Sequence, residues 1–369
     1  MRVPPKEVKD TWPARNPIDP ETRGPALLIV ELTVLPLALI VLLLRLYVRT
    51  MLLKNSGWDD WLMIAAAVFG AGVTVCVILA SYLYGWDVHV WDLSLEALVS
   101  GRQVSLAAQT LFVFATSLAK VSILLSYLRF ALPNSRFRRA THFATAIILV
   151  ANSVFLVVLF TQCTPLSAYW DVVRGGVDCM PEGPPLMAQA IFTVMADFAV
   201  WVLPLPTLMK ARLPPLQRIG LVVLFSCGLF VVFGAIMRTY WIWVVVEQTY
   251  DVTWEGFHLW IWTAVEVHLG LICGCIPTLK ALVGSYQAHK RKGSKPVFLG
   301  DSAKSLGGKE EDVVKGGKWA KLPSPGTGSR SKNGAKTEDL EMAPTSPGPG
   351  SDCSADTRDT RDTRVDTYL

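Results

Sequence analysis

Seven long apolar runs fill the chain from Pro25 to Val283: Pro25 to Leu44, Trp61 to Tyr84, Val104 to Phe130, His142 to Thr161, Met187 to Met209, Ile219 to Val246 and Phe257 to Val283. Each is close to the roughly 20 residues that a helix needs to cross a hydrocarbon core about 30 Å thick. A helix satisfies its own backbone hydrogen bonds, which lipid cannot do for it. The sequence therefore predicts an all-α membrane protein, a seven-transmembrane helix bundle embedded in the lipid bilayer. Soluble domains carry roughly a quarter charged residues; this chain has 18% charged, 51% hydrophobic and a mean hydropathy of +0.38 despite a polar end. Residues 1–24 form a polar N-terminal segment, 25–283 the membrane domain, and 284–369 a Gly, Ser, Pro, Lys and Asp-rich stretch expected to be a disordered cytoplasmic tail.

Basic residues near span ends are retained in the cytoplasm, so they set the orientation. Arg45, Arg49 and Lys54 lie in the first connection, Arg136, Arg138 and Arg139 in the third, and Lys210, Arg212 and Arg218 in the fifth; Lys290, Arg291, Lys292 and Lys295 follow the seventh span. The second connection offers Arg102, the fourth Arg174 and the sixth none. The expected topology places the N-terminus outside and the C-terminus in the cytoplasm, in a plasma or internal membrane. Lys6, Lys9, Arg15 and Arg23 oppose it but are outvoted. The first 24 residues lack the apolar core of a cleaved signal. The net charge of +5 belongs to helix ends rather than to a nucleic-acid surface, so no nucleic-acid partner is expected. Trp58 and Trp61 at one end, and Trp86, Trp91, Trp241, Trp243 and Trp254 at the other, fit aromatic belts.

An ionisable side chain inside a bilayer is costly unless paired or wetted, which makes it a functional candidate. Glu31, Lys120, Asp197, Arg238 and Glu266 qualify. Arg238 lies nine residues from the outer end of the sixth span and Glu266 nine residues into the seventh, so at 1.5 Å per residue both sit about 13 Å deep and can pair. Lys120 and Asp197 can pair if the third and fifth helices are neighbours. Both pairs read either as structural bridges fixing helix register or as the lining of a cavity opening outward. Glu31, near an outer end, is expected to snorkel. His268 points to a different face from Glu266 and reads as a hydrogen-bonded core residue, with a place in the cavity as the sharper alternative.

Asp59 and Asp60 open the second helix, where carboxylates complement the positive helix end. Beside Arg129 and the basic connections they are also candidates for a cytoplasmic protein partner, as is the tail. Cys273-Gly274-Cys275 before Pro277 reads as a close-packed kink, Pro204 and Pro206 as a bend, and the seven cysteines show no metal-ligand spacing. Cys163 and Cys179 lie outside the spans on the expected oxidising face and predict a disulfide.

These residues resemble the fungal rhodopsin-like integral membrane proteins, the group that includes the satratoxin-cluster membrane protein and is related to pathogenicity-associated receptor-like seven-span proteins. The resemblance rests on Asp59-Asp60-Trp61, Tyr84-Gly85 with His89, Lys120-Val121-Ser122-Ile123-Leu124 with Tyr127 and Arg129, and Cys163-x-Pro165 with Trp170-Asp171 and Gly176 to Cys179. It continues through Asp197, Leu203-Pro204-Leu205-Pro206, Arg238, and Glu266 with Cys275-Ile276-Pro277. Asp87 departs from the family's second glycine in Gly-x-Gly-x-His, which puts the shape of that loop in question. No cofactor is expected. A retinal Schiff base needs a lysine in the middle of the seventh span, which holds only Lys280 at its inner end, while Lys120 is in the third. The resemblance implies an orphan receptor-like or accessory membrane component, tied in some members to secondary-metabolite clusters. The alternatives are a membrane-embedded biosynthetic enzyme acting on a lipophilic intermediate and, third, a transporter.

Overall fold

The fold is drawn from a computed structural model, which describes residues 4–16, 18–130, 136–171, 179–206 and 215–293. Its long elements are α1 (Ala26–Tyr47), α2 (Trp58–Tyr84), α3 (Leu95–Phe130), α4 (Arg136–Thr161), α5 (Gly183–Val202), α6 (Pro215–Trp243) and α7 (Val252–Gly293). Single π-helical turns, Val48–Leu52 and Val244–Gln248, extend α1 and α6. All seven are long and apolar enough to cross a membrane, and no strand longer than an isolated bridge forms among the described residues.

The helices pack in a ring in chain order, closed by α1 against α7, and α3 also touches α5 and α7. Consequently α3 is the most enclosed helix and α4 the most lipid-facing. Between membrane helices small residues permit close approach, and Ala66, Ala67, Ala108, Ala115 and Ala119 are all buried along α2 and α3. At Gly274 a Cβ would lie 2.5 Å from the Met63 side chain, so α7 meets α2 where no side chain fits.

Several boundaries differ from the hydropathy reading, each for a local reason. Helix α3 starts at Leu95 rather than Val104, because Ser94 Oγ accepts the Ala97 N–H at 3.2 Å and the added turns carry polar residues that depress hydropathy. Helix α5 stops at Val202, so Pro204 and Pro206 follow its end instead of bending it. Helix α7 runs through Pro277 to Gly293, past the expected boundary at 284; the remaining tail reading concerns residues 294–369, which lie outside the described residues. Gly85 ends α2 in the left-handed region at φ 67°, and Asp87 has no positive φ, so the departure from the Gly-x-Gly-x-His pattern needs no special backbone.

The two ends of the bundle differ. At one, here called the cap end, residues 4–16 and 18–24 lie across the loops: Thr22 bridges Val88, Asn16 N–H donates to Asp92 at 2.8 Å, and Arg23 pairs with Glu255 at 3.1 Å. Trp91 and Trp254 stack on His89 at 4.3 and 3.8 Å, which ties the loop after α2 to the start of α7. At the opposite end Trp58 and Trp61 are 81% and 65% exposed, as belt residues are.

Candidate functional site

Beneath the cap end lies a cavity of about 700 Å³ bounded by α3, α5, α6 and α7. That is the size of a small-molecule site, typically about 300–1,000 Å³. One wall is formed by Ala168, Tyr169, Asp171 and Cys179, beside the Cys163–Cys179 disulfide. Arg102 of α3 secures it, donating through Nε to the Tyr169 carbonyl at 2.8 Å, lying 4.4 Å above the Tyr169 ring and pairing with Glu182. Burial pushes the Glu182 carboxyl up, but nearby positive charge and hydrogen bonds, Arg102 foremost, together outweigh it and hold the group below its ordinary range. Tyr169 is pushed up to about 12 by the same burial.

Arg238 lines the floor of this cavity, with its guanidinium 4.4 Å over the Phe112 ring and Nε donating to Glu266 Oε2 at 2.7 Å. Glu266 lines a second, smaller chamber of about 60 Å³ beyond that floor, together with Lys120, Asp197, Thr116 and Tyr127. Lys120 Nζ stands 3.2 Å from Asp197 Oδ1, so α3 and α5 are indeed close enough for the second pair. The two ion pairs thus sit on either side of one small chamber, with Arg238–Glu266 as the partition between it and the larger cavity. Asp197 Oδ2, Glu266 Oε1 and Arg238 Nη2 are buried without a hydrogen-bond partner, which such groups rarely tolerate.

Glu31 does not snorkel. It is 0% exposed and accepts from Thr74 at 2.7 Å, with His268 Nε2 3.2 Å away, joining α1, α2 and α7. Helix phase explains the correction: Glu31 faces α2 and α7, which present a hydroxyl and a histidine to it. His268 therefore belongs to this triad and does not line either cavity described above.

Asp59 and Asp60, expected on the cytoplasmic face as contacts for a partner, are each only 2% exposed. Arg45 reaches Asp59 at 2.8 Å and Asp60 at 3.0 Å, Arg49 reaches Asp59 at 2.9 Å, and Arg129 also pairs with Asp59. Ser126 donates to Asp59 at 3.0 Å, and Arg45 Nη1 donates to the Gly274 carbonyl at 2.7 Å. The carboxylates turn inward because the π-helical turn after α1 brings Arg49 onto them alongside Arg45. Of the three candidates only Arg129 keeps appreciable exposure, 28%. Asp60 also serves the local role of a helix cap, accepting the Gly57 N–H at 3.2 Å.

Sequence reasoning missed Arg102, Trp260, Arg45 and Arg49 as site residues. Arg102 and Arg45 were read as topology marks, yet both are buried. A signal existed for Arg45: an arginine at the end of one span lies close in sequence to carboxylates that open the next span. Among the described residues no three His, Cys, Asp or Glu side chains converge to hold a metal.

The chain is 23% identical to the fugralins biosynthesis cluster protein 2 of Gibberella zeae, over 66% of this chain and 62% of that protein. It is 26% identical to Receptor GIN3 of Arthrobotrys oligospora, over 72% of this chain and 64% of that one. Against the satratoxin biosynthesis SC1 cluster protein 4 of Stachybotrys chartarum it is 23% identical over 47% of this chain and 62% of the other. The match thus spans less than two thirds of the length of each of these relatives. No solved structure matches. A sequence profile of the fungal rhodopsin domain matches residues 44–285, from the end of α1 through α7, and with its seven membrane-spanning helices the chain belongs to the fungal rhodopsin domain family.

Proposed function

We propose that this protein is a receptor-like membrane component whose cap-end cavity faces outward and takes a lipophilic small molecule, with the Arg238–Glu266 pair reading its presence. The observation that carries the proposal is that partition: one ion pair closes the floor of a ligand-sized cavity and also borders a polar chamber with a second pair. A molecule that engages Arg238 competes with Glu266 and alters the charge balance around Lys120 and Asp197. A relative named as a receptor supports this class, and relatives named for biosynthesis clusters support a role alongside secondary metabolism. The proposal needs no cofactor. Asp59, Asp60 and Arg129 then hold the far end closed, and a cytoplasmic partner would meet Arg129 and the tail.

A membrane-embedded enzyme is the second reading, favoured by Asp197 Oδ2 and Glu266 Oε1, buried carboxylate oxygens without a donor. Purified protein in nanodiscs, melted with and without fractions of a fungal lipophilic extract, tests both. A stabilising molecule recovered unchanged supports a receptor; one recovered chemically altered supports an enzyme. Absence of stabilisation by any fraction refutes both.

A further inference from the structure

The cavity wall is asymmetric in its hydrogen-bonding capacity. Trp260 of α7 is 5% exposed and lines the cavity, yet its indole Nε1–H has no acceptor. Arg238 is 4% exposed, lines the same cavity, and leaves Nη2 without an acceptor. Trp86, packed edge-on against Trp260 with ring centroids 6.1 Å apart, adds a second buried indole N–H, the third donor without a partner, close against α3 at Gly101. Indole and guanidinium groups donate and cannot accept.

The buried carboxylate oxygens that lack a donor lie elsewhere. Glu31 Oε1 is in the α1–α2–α7 triad, and Asp197 Oδ2 and Glu266 Oε1 border the small chamber. Two hydroxyls on the wall are already committed as donors, Thr263 to the Leu259 carbonyl at 2.8 Å and Thr253 to the Val88 carbonyl at 2.7 Å. A buried donor left unsatisfied is destabilising, so this wall favours a guest that brings oxygen acceptors.

Charge narrows the class. Among the described residues Lys9, Arg102 and Arg238 line the cavity against Asp171, Glu182 and Glu247, so the wall is balanced. An ionised guest would be buried without a counter-charge, which a low-dielectric site disfavours. The aromatic and aliphatic remainder of the wall, including Phe112, Phe155 and Ile242, suits an apolar body.

We infer that the cap-end cavity selects neutral lipophilic molecules bearing at least one carbonyl oxygen, ketone or lactone, which accepts from Trp260 Nε1–H and Arg238 Nη2–H. This rests on the ligand-binding reading proposed above and specifies its chemistry. Full-length protein in nanodiscs is titrated with the diketone, the diol, the hydrocarbon and the carboxylic acid of one androstane skeleton, with binding followed by protection against thermal unfolding. The diketone should bind most tightly. Trp260→Phe, which keeps a ring and removes only the N–H, should weaken the diketone by about three- to tenfold, the worth of one net hydrogen bond, and leave the hydrocarbon unchanged. If the acid or the diol binds more tightly than the diketone, or if Trp260→Phe weakens diketone and hydrocarbon alike, the acceptor selectivity is overturned while the cavity keeps its role. If none of the four protects protein with the native melting temperature, the ligand-binding reading fails and the inference fails with it.

Discussion

Replacing Asp59 with Asn keeps the side-chain volume and removes one charge from the most heavily paired site in the bundle. The Arg45, Asp59, Asp60 and Arg49 side chains are 0%, 1%, 2% and 5% exposed, so solvent does little to screen the loss. The variant leaves Arg45, Arg49 and Arg129 facing Asp60 alone. Removing one partner of a buried ion pair costs about 3–5 kcal/mol, because the survivors remain uncompensated. At about 2–4 °C per kcal/mol for a chain of this size, the melting temperature should fall by roughly 6–20 °C. Arg129→Ala acts at 28% exposure and should cost about 0–1 kcal/mol, since water and salt screen that arm. Asp60→Asn should fall between, at about 1–3 kcal/mol, because the amide oxygen can still cap Gly57. Adding Arg49→Gln to Asp59→Asn removes a stranded cation and should recover part of the loss. The assay is fluorescence-detected melting of purified protein in one detergent. Equal losses for Asp59→Asn and Arg129→Ala, or a loss of under about 2 °C for Asp59→Asn, would refute the hub and return Asp59 to a simple helix-end role.

For topology, a reporter after Val283 should be cytoplasmic and one between Cys163 and Cys179 should not; reversed labelling overturns the orientation. Arg238→Gln and Glu266→Gln should each destabilise by about 3–5 kcal/mol and the double variant by much less than their sum. Strictly additive losses would show that the two do not interact. Glu182 is held below its ordinary range in the folded state, so its contribution is present above the ordinary glutamate value and is lost as pH falls through the depressed one. Melting temperature should therefore drop on acidification less steeply in Glu182→Gln than in the native protein, and identical pH profiles would remove Glu182 from the cap's stability.

Seven spans were legible because hydropathy over about 20 residues is a strong signal, and the depth matching of Arg238 with Glu266 worked because both lie on consecutive helices joined by a short turn. Glu31 shows where such reasoning stops. Its depth was readable, but its direction depends on the rotational phase of α1, which a helix apolar on all sides around Glu31 does not reveal. Asp59 and Asp60 failed differently: a carboxylate at a helix start has a sufficient local explanation, and nothing local signals that a π-helical turn delivers arginines to it. The cavity donors were hidden because tryptophans near a span end fit an interfacial belt equally well. Only packing separates Trp61, facing outward, from Trp260, facing in.

Helix α7 takes part in several polar layers of the bundle. From the cap end it carries Trp254 against His89, Trp260 on the cavity wall, Glu266 under Arg238, His268 against Glu31, and the Gly274 carbonyl that accepts from Arg45. A ligand that draws Arg238 from Glu266 changes the electrostatic hold on one point of this helix, while Arg45 and its carboxylates hold another. Between them α7 has Gly270 with nothing within 4 Å of where a Cβ would lie, and Gly274, where a Cβ would meet Met63. The first leaves room for the helix to shift and the second resists it. In the proposed receptor reading the stability of the Asp59 hub therefore sets how much ligand energy is needed to move α7, so hub variants that still fold should respond to ligand more readily than the native chain.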